Sequence, residues 1–353
     1  MSPASILITG GAGFIGSNLA FHLRAIHSQA EIVCMDNLYR RGSEINVPRL
    51  LESGIRFHRG DIRHPKEFPI GPFEVLIECS AEPSVLAGQD GSPDYLFQTN
   101  LVGAYHCLEK ARLWNSRVIF LSTSRVYPVA PLEAHPWVED ATRFRWLDEG
   151  DVGISAAGVG ESLNLRGARS LYGFTKLAAE QLIEEYRMSF GLQAVINRCG
   201  VIAGPWQFGK VDQGVIALWV MAHLFERPLS YIGYGGTGKQ VRDVLHVEDL
   251  CDLIALQIAE FDFWDGWLGN VAGGLDHSIS LQELTRLCEV VTGNSIVICS
   301  NTEQRPFDLR LFIGDCTRLF QRTTWRPTRS LTSLVADTVD WARLNRRSLF
   351  ELS

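Results

Sequence analysis

The chain has 353 residues, more than one domain usually spans, so two packed units are expected. Hydrophobic residues make up 46% and charged residues 21%, which excludes a disordered, collagen-like or disulfide-scaffold chain. With 33 Lys and Arg against 40 Asp and Glu, the net charge of −7 argues against non-specific binding to nucleic acid or an anionic membrane. An anionic ligand therefore needs locally clustered cations. The eight cysteines (Cys34, Cys79, Cys107, Cys199, Cys251, Cys288, Cys299 and Cys316) include no CxxC pair, and several lie inside apolar runs. Reduced thiols of a cytoplasmic protein are expected, with neither a metal site nor a disulfide framework. No basic stretch leads into an apolar one at the start, and the longest apolar run, Val215 to Phe225, is about half a membrane span. The expectation is a soluble protein with no membrane partner.

Six short segments in the first 200 residues read as strands: Ser5 to Thr9, Glu31 to Asp36, Ile55 to His58, Val75 to Cys79, Val118 to Ser122 and Ala194 to Asn197. Each is apolar throughout rather than alternating, as parallel strands covered on both faces are. Helical periodicity fills the gaps, with Leu19, Leu23 and Ile26, then Leu101, Ala104, Tyr105, Leu108 and Ala111, then Leu171, Phe174, Ala178, Leu182 and Tyr186. This alternation predicts an α/β fold with a doubly wound parallel sheet. Residues 128–170 break the rhythm with Pro, Gly, charges and the exposed-looking Trp137, Phe144 and Trp146, as an insertion or lid does. Beyond Arg198 the pattern turns irregular and glycine-rich, which predicts a smaller, mixed C-terminal domain.

Gly10-Gly11-Ala12-Gly13-Phe14-Ile15-Gly16 follows the first strand and opens the first helix. Glycines here allow a tight turn and let the backbone approach a pyrophosphate, which sits on the free N–H groups at the helix start. Twenty residues on, Asp36 ends the second strand, where a carboxylate bonds the adenosine ribose and repels a 2′-phosphate. NAD is thus favoured over NADP, although Arg40 and Arg41 weaken the preference. Gly60-Asp61-Ile62 ends the third strand, either at an adenine or simply as a turn.

Tyr172 and Lys176 lie four residues apart on the most periodic helix, so phenol and ammonium share a face. A free phenol is protonated at neutral pH. A neighbouring Lys⁺ and an oxidised nicotinamide ring both favour phenolate, and lowering its pKa by about 3 units takes roughly 4 kcal/mol.

The fifth strand ends in Leu121-Ser122-Thr123-Ser124-Arg125-Val126-Tyr127. Here the chain resembles the extended short-chain dehydrogenase/reductases that modify nucleotide sugars. The likeness extends through Ser92-Pro93, Asn100, Arg242-Asp243 and Trp325-Arg326-Pro327. It implies a Rossmann-type domain over residues 1–197 with about 243–272, and a nucleotide-sugar domain over 198–242 and 273–353. It makes Thr123, Tyr172 and Lys176 the catalytic residues. Its NAD contacts fall at Gly10, Gly13, Phe14, Ile15, Gly16, Asp36, Asn37, Asp61, Ile62, Ser80, Ala81, Asn100, Ser122, Tyr172, Lys176 and Arg198. A homodimer through the helices of Asn100 and Tyr172 is implied as well.

The family's dehydratases carry an Asp-Glu pair after the threonine; this chain has Ser124-Arg125, so hydride removal and return remain, which is epimerisation. Gln207-Phe208, Asp212-Gln213-Gly214 and Lys239-Gln240-Val241-Arg242-Asp243 most resemble the CDP-tyvelose (CDP-paratose 2-) epimerases. Arg305-Pro306-Phe307-Asp308 resembles a family motif for the nucleotide's phosphate and ribose in which glycine stands at the Phe307 position. The implied contacts to a CDP- or UDP-linked sugar are Glu82, Thr123, Ser124, Gln207, Gln213, Gln240, Arg242, Arg305, Asp308 and Arg310. Epimerisation of a UDP-hexose or UDP-hexuronate at carbon 4 would use the same trio, and a catalytically silent NAD sensor is the reading from another class. The aromatic residues Trp206, Phe208, Trp219 and Tyr234 are expected mostly in cores.

Overall fold

Short, doubly covered strands dominate the first half. The computed structural model describes residues 3–89, 91–148, 152–208, 214–346 and 349. Strands β1 (Ser5–Thr9), β2 (Glu31–Asp36), β3 (Arg56–Arg59), β4 (Val75–Glu78) and β5 (Arg117–Thr123) join Ala194–Cys199 and Leu268–Val271 in a seven-stranded parallel sheet. From one edge the order is Leu268–Val271, Ala194–Cys199, β5, β4, β1, β2, β3. The order reverses between β1 and β4, and ligands of such sheets bind where it does so, beyond the carboxyl ends of the strands.

Both faces are apolar because both are covered. Leu7, Val33, Leu76, Val118 and Ile196 pack on one face against Ala104, Leu108 and Ala111 of the helix Gly103–Trp114, and against Ala179 and Ile183 of the helix Leu171–Phe190. On the other face Ile6, Ile8, Ile32, Cys34, Val75 and Ile77 are at most 1% exposed. The expected strands therefore stand, with ends shifted by a residue or two. The first of these two helices is preceded by a short helix, Asp94–Phe97, and a π-helical turn, Gln98–Val102, which carries Asn100.

The chain divides into two units: Met1–Val126, Leu171–Arg198 and Leu250–Leu268 form the first, and Tyr127–Ser170, Cys199–Asp249 and Gly269–Ser353 the second. Residues 127–170, expected within the cofactor domain, group with the second unit. Their attachments explain why: Phe144 N–H donates to Lys239 O at 3.1 Å, Asn270 Nδ2 to Val159 O at 2.8 Å, and Arg143 forks onto Glu283. The segment is not structureless. It holds a helix, Val129–Ala134, and the hairpins Trp137–Glu139/Phe144–Trp146 and Ile154–Ser155/Gly158–Val159. Strand alternation turns Phe144 and Trp146 inward, to 5% and 4% exposure, and Arg145 outward; of the three aromatics only Trp137 is exposed.

In the second unit the strand Val241–His246 pairs with Val201–Ala203, Ser278–Ser280 and Leu311–Phe312. The helices Val215–Leu224, Leu281–Thr292 and Leu331–Leu344 cover a core of Trp219, Val220, Val244, Leu284, Leu334 and Val339. Of the four singled-out aromatics Trp219 is a core residue, and the partly buried Trp206 and Phe208 pack on Trp341. Asp243, fully buried, accepts the N–H groups of Gly314 at 2.8 Å and Gly274 at 3.4 Å. No disulfide joins the eight cysteines, and among the described residues there is no cluster able to hold a metal and no helix long and apolar enough to cross a membrane.

Leu76 is fully buried between helices and sheet, whereas Ile70 is 95% exposed. Leu76→Ala is expected to lower unfolding free energy by about 2–5 kcal/mol in denaturant titration, and Ile70→Ala by less than about 0.5 kcal/mol.

Candidate active site

The glycine turn closes against the switch point. A side chain on Gly10, which has φ of +63°, would meet the backbone of Cys79 and Ser80 at 2.8–2.9 Å, and one on Gly16 would strike Gly10 O at 2.2 Å. Gly13 differs: a Cβ there would touch only Gly10 O, at 3.1 Å, and φ is −71°. The first turn of the helix Phe14–Ile26 has no side-chain cap and no acidic residue, so its N–H groups are left for an anion. Asp36 braces this turn, accepting Ala12 N–H at 3.1 Å and Leu38 N–H at 2.8 Å. Burial pushes its carboxyl upward against those N–H groups. The turn is further tied by Asn46, whose Nδ2 donates to Ala12 O at 2.9 Å.

Asn37 Nδ2 donates to Asp61 Oδ2 at 2.8 Å, and Arg63 forks onto the same carboxylate at 2.6–3.0 Å. Burial alone would raise Asp61, but Arg63 and Asn37 overcome it and hold the carboxyl at about 2. Asn37, Gly60 and Asp61 line a cavity of about 250 Å³ with Arg59, His64 and Glu67. Ile62 faces away from it into the core, against Gly103. An uncapped helix start, an open Gly13 and a carboxylate at the second strand end together fit an adenine dinucleotide.

The three residues expected to be catalytic stand on elements that pack together, the helix Leu171–Phe190 and the end of β5. Tyr172 stands in the first helical turn, and its carbonyl accepts the Thr175 hydroxyl at 2.8 Å. Thr123 ends β5, 8% exposed, its hydroxyl oxygen accepting Arg125 N–H at 3.2 Å; Ser124 begins the 3-10 turn. Lys176 is 2% exposed, and its Nζ lies 3.4 Å from Glu78 Oε2 and 4.0 Å above the Phe120 ring. Burial raises the Glu78 carboxyl, against the pull of Lys176.

Several of the expected cofactor contacts also brace the protein itself. Asn100 is buried and grips Glu82, accepting its N–H at 2.7 Å and donating to its carbonyl at 2.9 Å, which fixes the loop of Ser80 and Ala81; it also donates to Thr175 Oγ1 at 3.3 Å. Ser122 and Arg198 both turn onto Glu180, with the Ser122 hydroxyl at 2.5 Å and the Arg198 guanidinium at 2.7 Å. Glu78 and Glu180 escaped the sequence reading. The available signal was a lone acid ending an otherwise apolar strand, and a second acid four residues beyond Lys176.

In the second unit, two expected substrate residues meet each other: Arg242 Nη2 donates to Asp308 Oδ1 at 2.8 Å. Arg310 lies 3.9 Å over the Trp137 ring, with Phe144 and Tyr234 within 5.5 Å and Glu133 3.8 Å from its Nη1. Phe307, at the position where the resemblance has glycine, takes φ of +58°, a left-handed conformation disfavoured by about 1–2 kcal/mol for a side-chain-bearing residue. Arg305 O accepts Asp308 N–H at 3.3 Å. Gln207 and Gln240 donate to the carbonyls of Ile202 and Ile232 at 3.0 and 2.6 Å. Gln213 lies outside the described residues.

A nucleotide-binding parallel sheet with a Tyr-Lys helix beside its fifth strand defines a short-chain dehydrogenase/reductase type of enzyme. The model of the NAD dependent epimerase/dehydratase family matches residues 6–266, and the chain belongs to that family. NAD is accordingly its cofactor, and the enzyme is an isomerase of the nucleotide-sugar epimerase type. It is 32% identical to the CDP-paratose 2-epimerase of Salmonella typhi, over 95% of this chain and 98% of that one. It is 27% identical to the dTDP-glucose 4,6-dehydratase of Salmonella typhimurium, over 96% and 93%. The NAD complex of the UDP-glucose 4-epimerase of Thermus thermophilus shares the fold, with a TM-score of 0.73 at 24% identity, covering 96% and 99%.

Two outcomes follow. Gly13→Ala is expected to fold normally and weaken NAD binding at least tenfold by calorimetry, while Gly16→Ala loses folded protein through its 2.2 Å clash. Asp61 is near 3.9 when unfolded and about 2 when folded, so its stabilising contribution is whole above pH 4 and vanishes as pH falls towards 2. Denaturation at stepped pH checks this, with Asp61→Asn expected to flatten that slope.

Proposed function

We propose that the enzyme inverts one hydroxyl-bearing carbon of a nucleotide-linked sugar through a transient ketone, with a CDP-linked hexose of the paratose/tyvelose kind as substrate. What supports this reading is the intact Thr123, Tyr172 and Lys176 set beside β5, without the Asp-Glu pair that elimination would need after Thr123. Bound NAD supplies the acceptor and donor of hydride. Tyr172, as phenolate, takes the proton of the reacting hydroxyl and later returns it. Thr123 accepts Arg125 N–H, which leaves its own O–H to donate to the same sugar oxygen. Lys176 biases Tyr172 towards phenolate by its charge.

On an acidic protein the diphosphate needs local cations, and Arg242, Arg305 and Arg310 are the candidates in the second unit. Planar guanidiniums suit a bidentate grip. Inversion asks two opposed things of the site: the nucleotide held firmly, the sugar free to present either face. The proposal includes a cytoplasmic homodimer, for which the exposed Leu113, Met188 and Phe190 of the helices Gly103–Trp114 and Leu171–Phe190 offer apolar surface.

The test is product analysis with CDP- and UDP-sugars. Inversion at carbon 2 of a CDP-hexose supports the proposal; turnover of UDP-hexose or UDP-hexuronate alone, at carbon 4, replaces it with the second reading. Tyr172→Phe is expected to lower kcat by about 10²–10⁴-fold, and parent-like turnover by that variant would remove Tyr172 as the base.

A further inference from the structure

Glu78 ends β4 in a position that few carboxylates occupy. In the sheet register its neighbours are Thr9 on β1 and Phe120 on β5, and it shares their face with Leu76, which the helices Gly103–Trp114 and Leu171–Phe190 cover. It is 2% exposed. The titratable groups facing it are Lys176 on the latter helix and the Cys107 thiol on the former; β1 and β5 bring only Thr9 and the Phe120 ring. The Ser80 N–H points to it as well. The next acid along the helix, Glu180, is taken up by Arg198 and Ser122. An ammonium and a carboxylate 3.4 Å apart, each 3% exposed by side chain, interact with little screening by water or salt.

We propose that Glu78 is a positioning residue of the catalytic site: a built-in counter-ion that holds the Lys176 ammonium against the Phe120 ring and sets how much of its positive charge reaches the Tyr172 phenol. The proposal rests on the assignment of Tyr172 as base. Lys176 otherwise has four rotatable bonds and no fixed place for its charge. Tied at Nζ to Glu78 and seated on a ring, the ammonium keeps one position one helical turn beyond Tyr172. The same tie moderates it, because the carboxylate offsets part of the field that would acidify the phenol. A bare ammonium would make Tyr172 more acidic but would itself be costly to keep in so apolar a setting. Burial pushes the Glu78 carboxyl up, and Lys176 pulls against that rise.

Two measurements on the full-length protein test this without assuming a substrate. The first follows ionisation of Tyr172 by ultraviolet difference titration, with Tyr172→Phe as the blank. Glu78→Gln keeps the shape and removes the charge, so the phenol midpoint is expected to move down by roughly half to one pH unit; an unchanged or higher midpoint overturns the proposal. The second is a thermal double-mutant cycle. Lys176→Met and Glu78→Gln each lower Tm, and the double variant is expected to lose clearly less than the sum, because neither lone charge is left buried. Additive losses overturn it. Should Glu78→Gln fail to fold, the double variant alone decides: folded protein supports the pairing and unfolded protein refutes it. If Tyr172→Phe retains turnover, the base assignment fails instead, and the thermal cycle still stands as a reading of the pair.

Discussion

A charged ammonium kept almost entirely out of water is the constraint around which this site is built. Lys176 lies where the strands carry Leu76, Val118 and Phe120, and where no bulk solvent can neutralise it. Moving such a group out of water carries a penalty of several kcal/mol unless partners replace the lost hydration. Two are present. The Glu78 carboxylate supplies opposite charge, and the Phe120 ring adds about 0.5–2 kcal/mol of cation–π attraction. Both stand on adjacent strands in register, so their spacing follows from the hydrogen-bonded ladder rather than from side-chain freedom. The charge of the site is therefore only as well placed as the sheet beneath it.

The same economy of bracing recurs at the strand ends of the first unit. Two acids at neighbouring strand ends are held in opposite directions by their surroundings. Asp36 is half-buried among backbone N–H groups, which are dipoles, and its desolvation wins. Asp61 has a full cation in Arg63, and the cation wins. Asn100 uses its whole amide on the Glu82 backbone, in a π-helical turn of a kind often found at functional sites. Each of these residues fixes its loop through protein contacts alone.

The second unit concentrates strain where it concentrates cations. Phe307 and Tyr234, flanking the Arg242, Asp308 and Arg310 group in sequence, both have positive φ. Backbone in that region persists only when its surroundings over-determine it, and such residues cluster at binding and switch regions. The insertion contributes directly: Trp137 and Phe144 of its first hairpin flank Arg310, with Glu133 of its short helix beside them. A segment that read in sequence as a lid or an insertion contributes, within the second unit, to the wall that immobilises a guanidinium. Stacked on rings and paired with one acid, Arg310 loses the rotamer freedom an exposed arginine keeps.

Much of the fold was readable because its causes are local. Doubly buried parallel strands must be apolar throughout, a tight phosphate-binding turn must be glycine, and two side chains on one helix face must be four apart. The glycine turn, the Tyr172–Lys176 pair and the boundaries of β1 and β2 rest on those rules. The roles of Ser122, Arg198 and Asn100, the attachment of residues 127–170 and the burial of Phe144 and Trp146 do not. Each depends on which residues from distant parts of the chain arrive beside them. Glu78 is the sharpest instance: spacing in sequence places it 98 residues from Lys176, and only strand register and helix packing bring the charges to 3.4 Å. Local chemistry set what the elements are and which reaction they suit; the assembled sheet decided which charges face one another, because electrostatic force depends on distance in space and not along the chain.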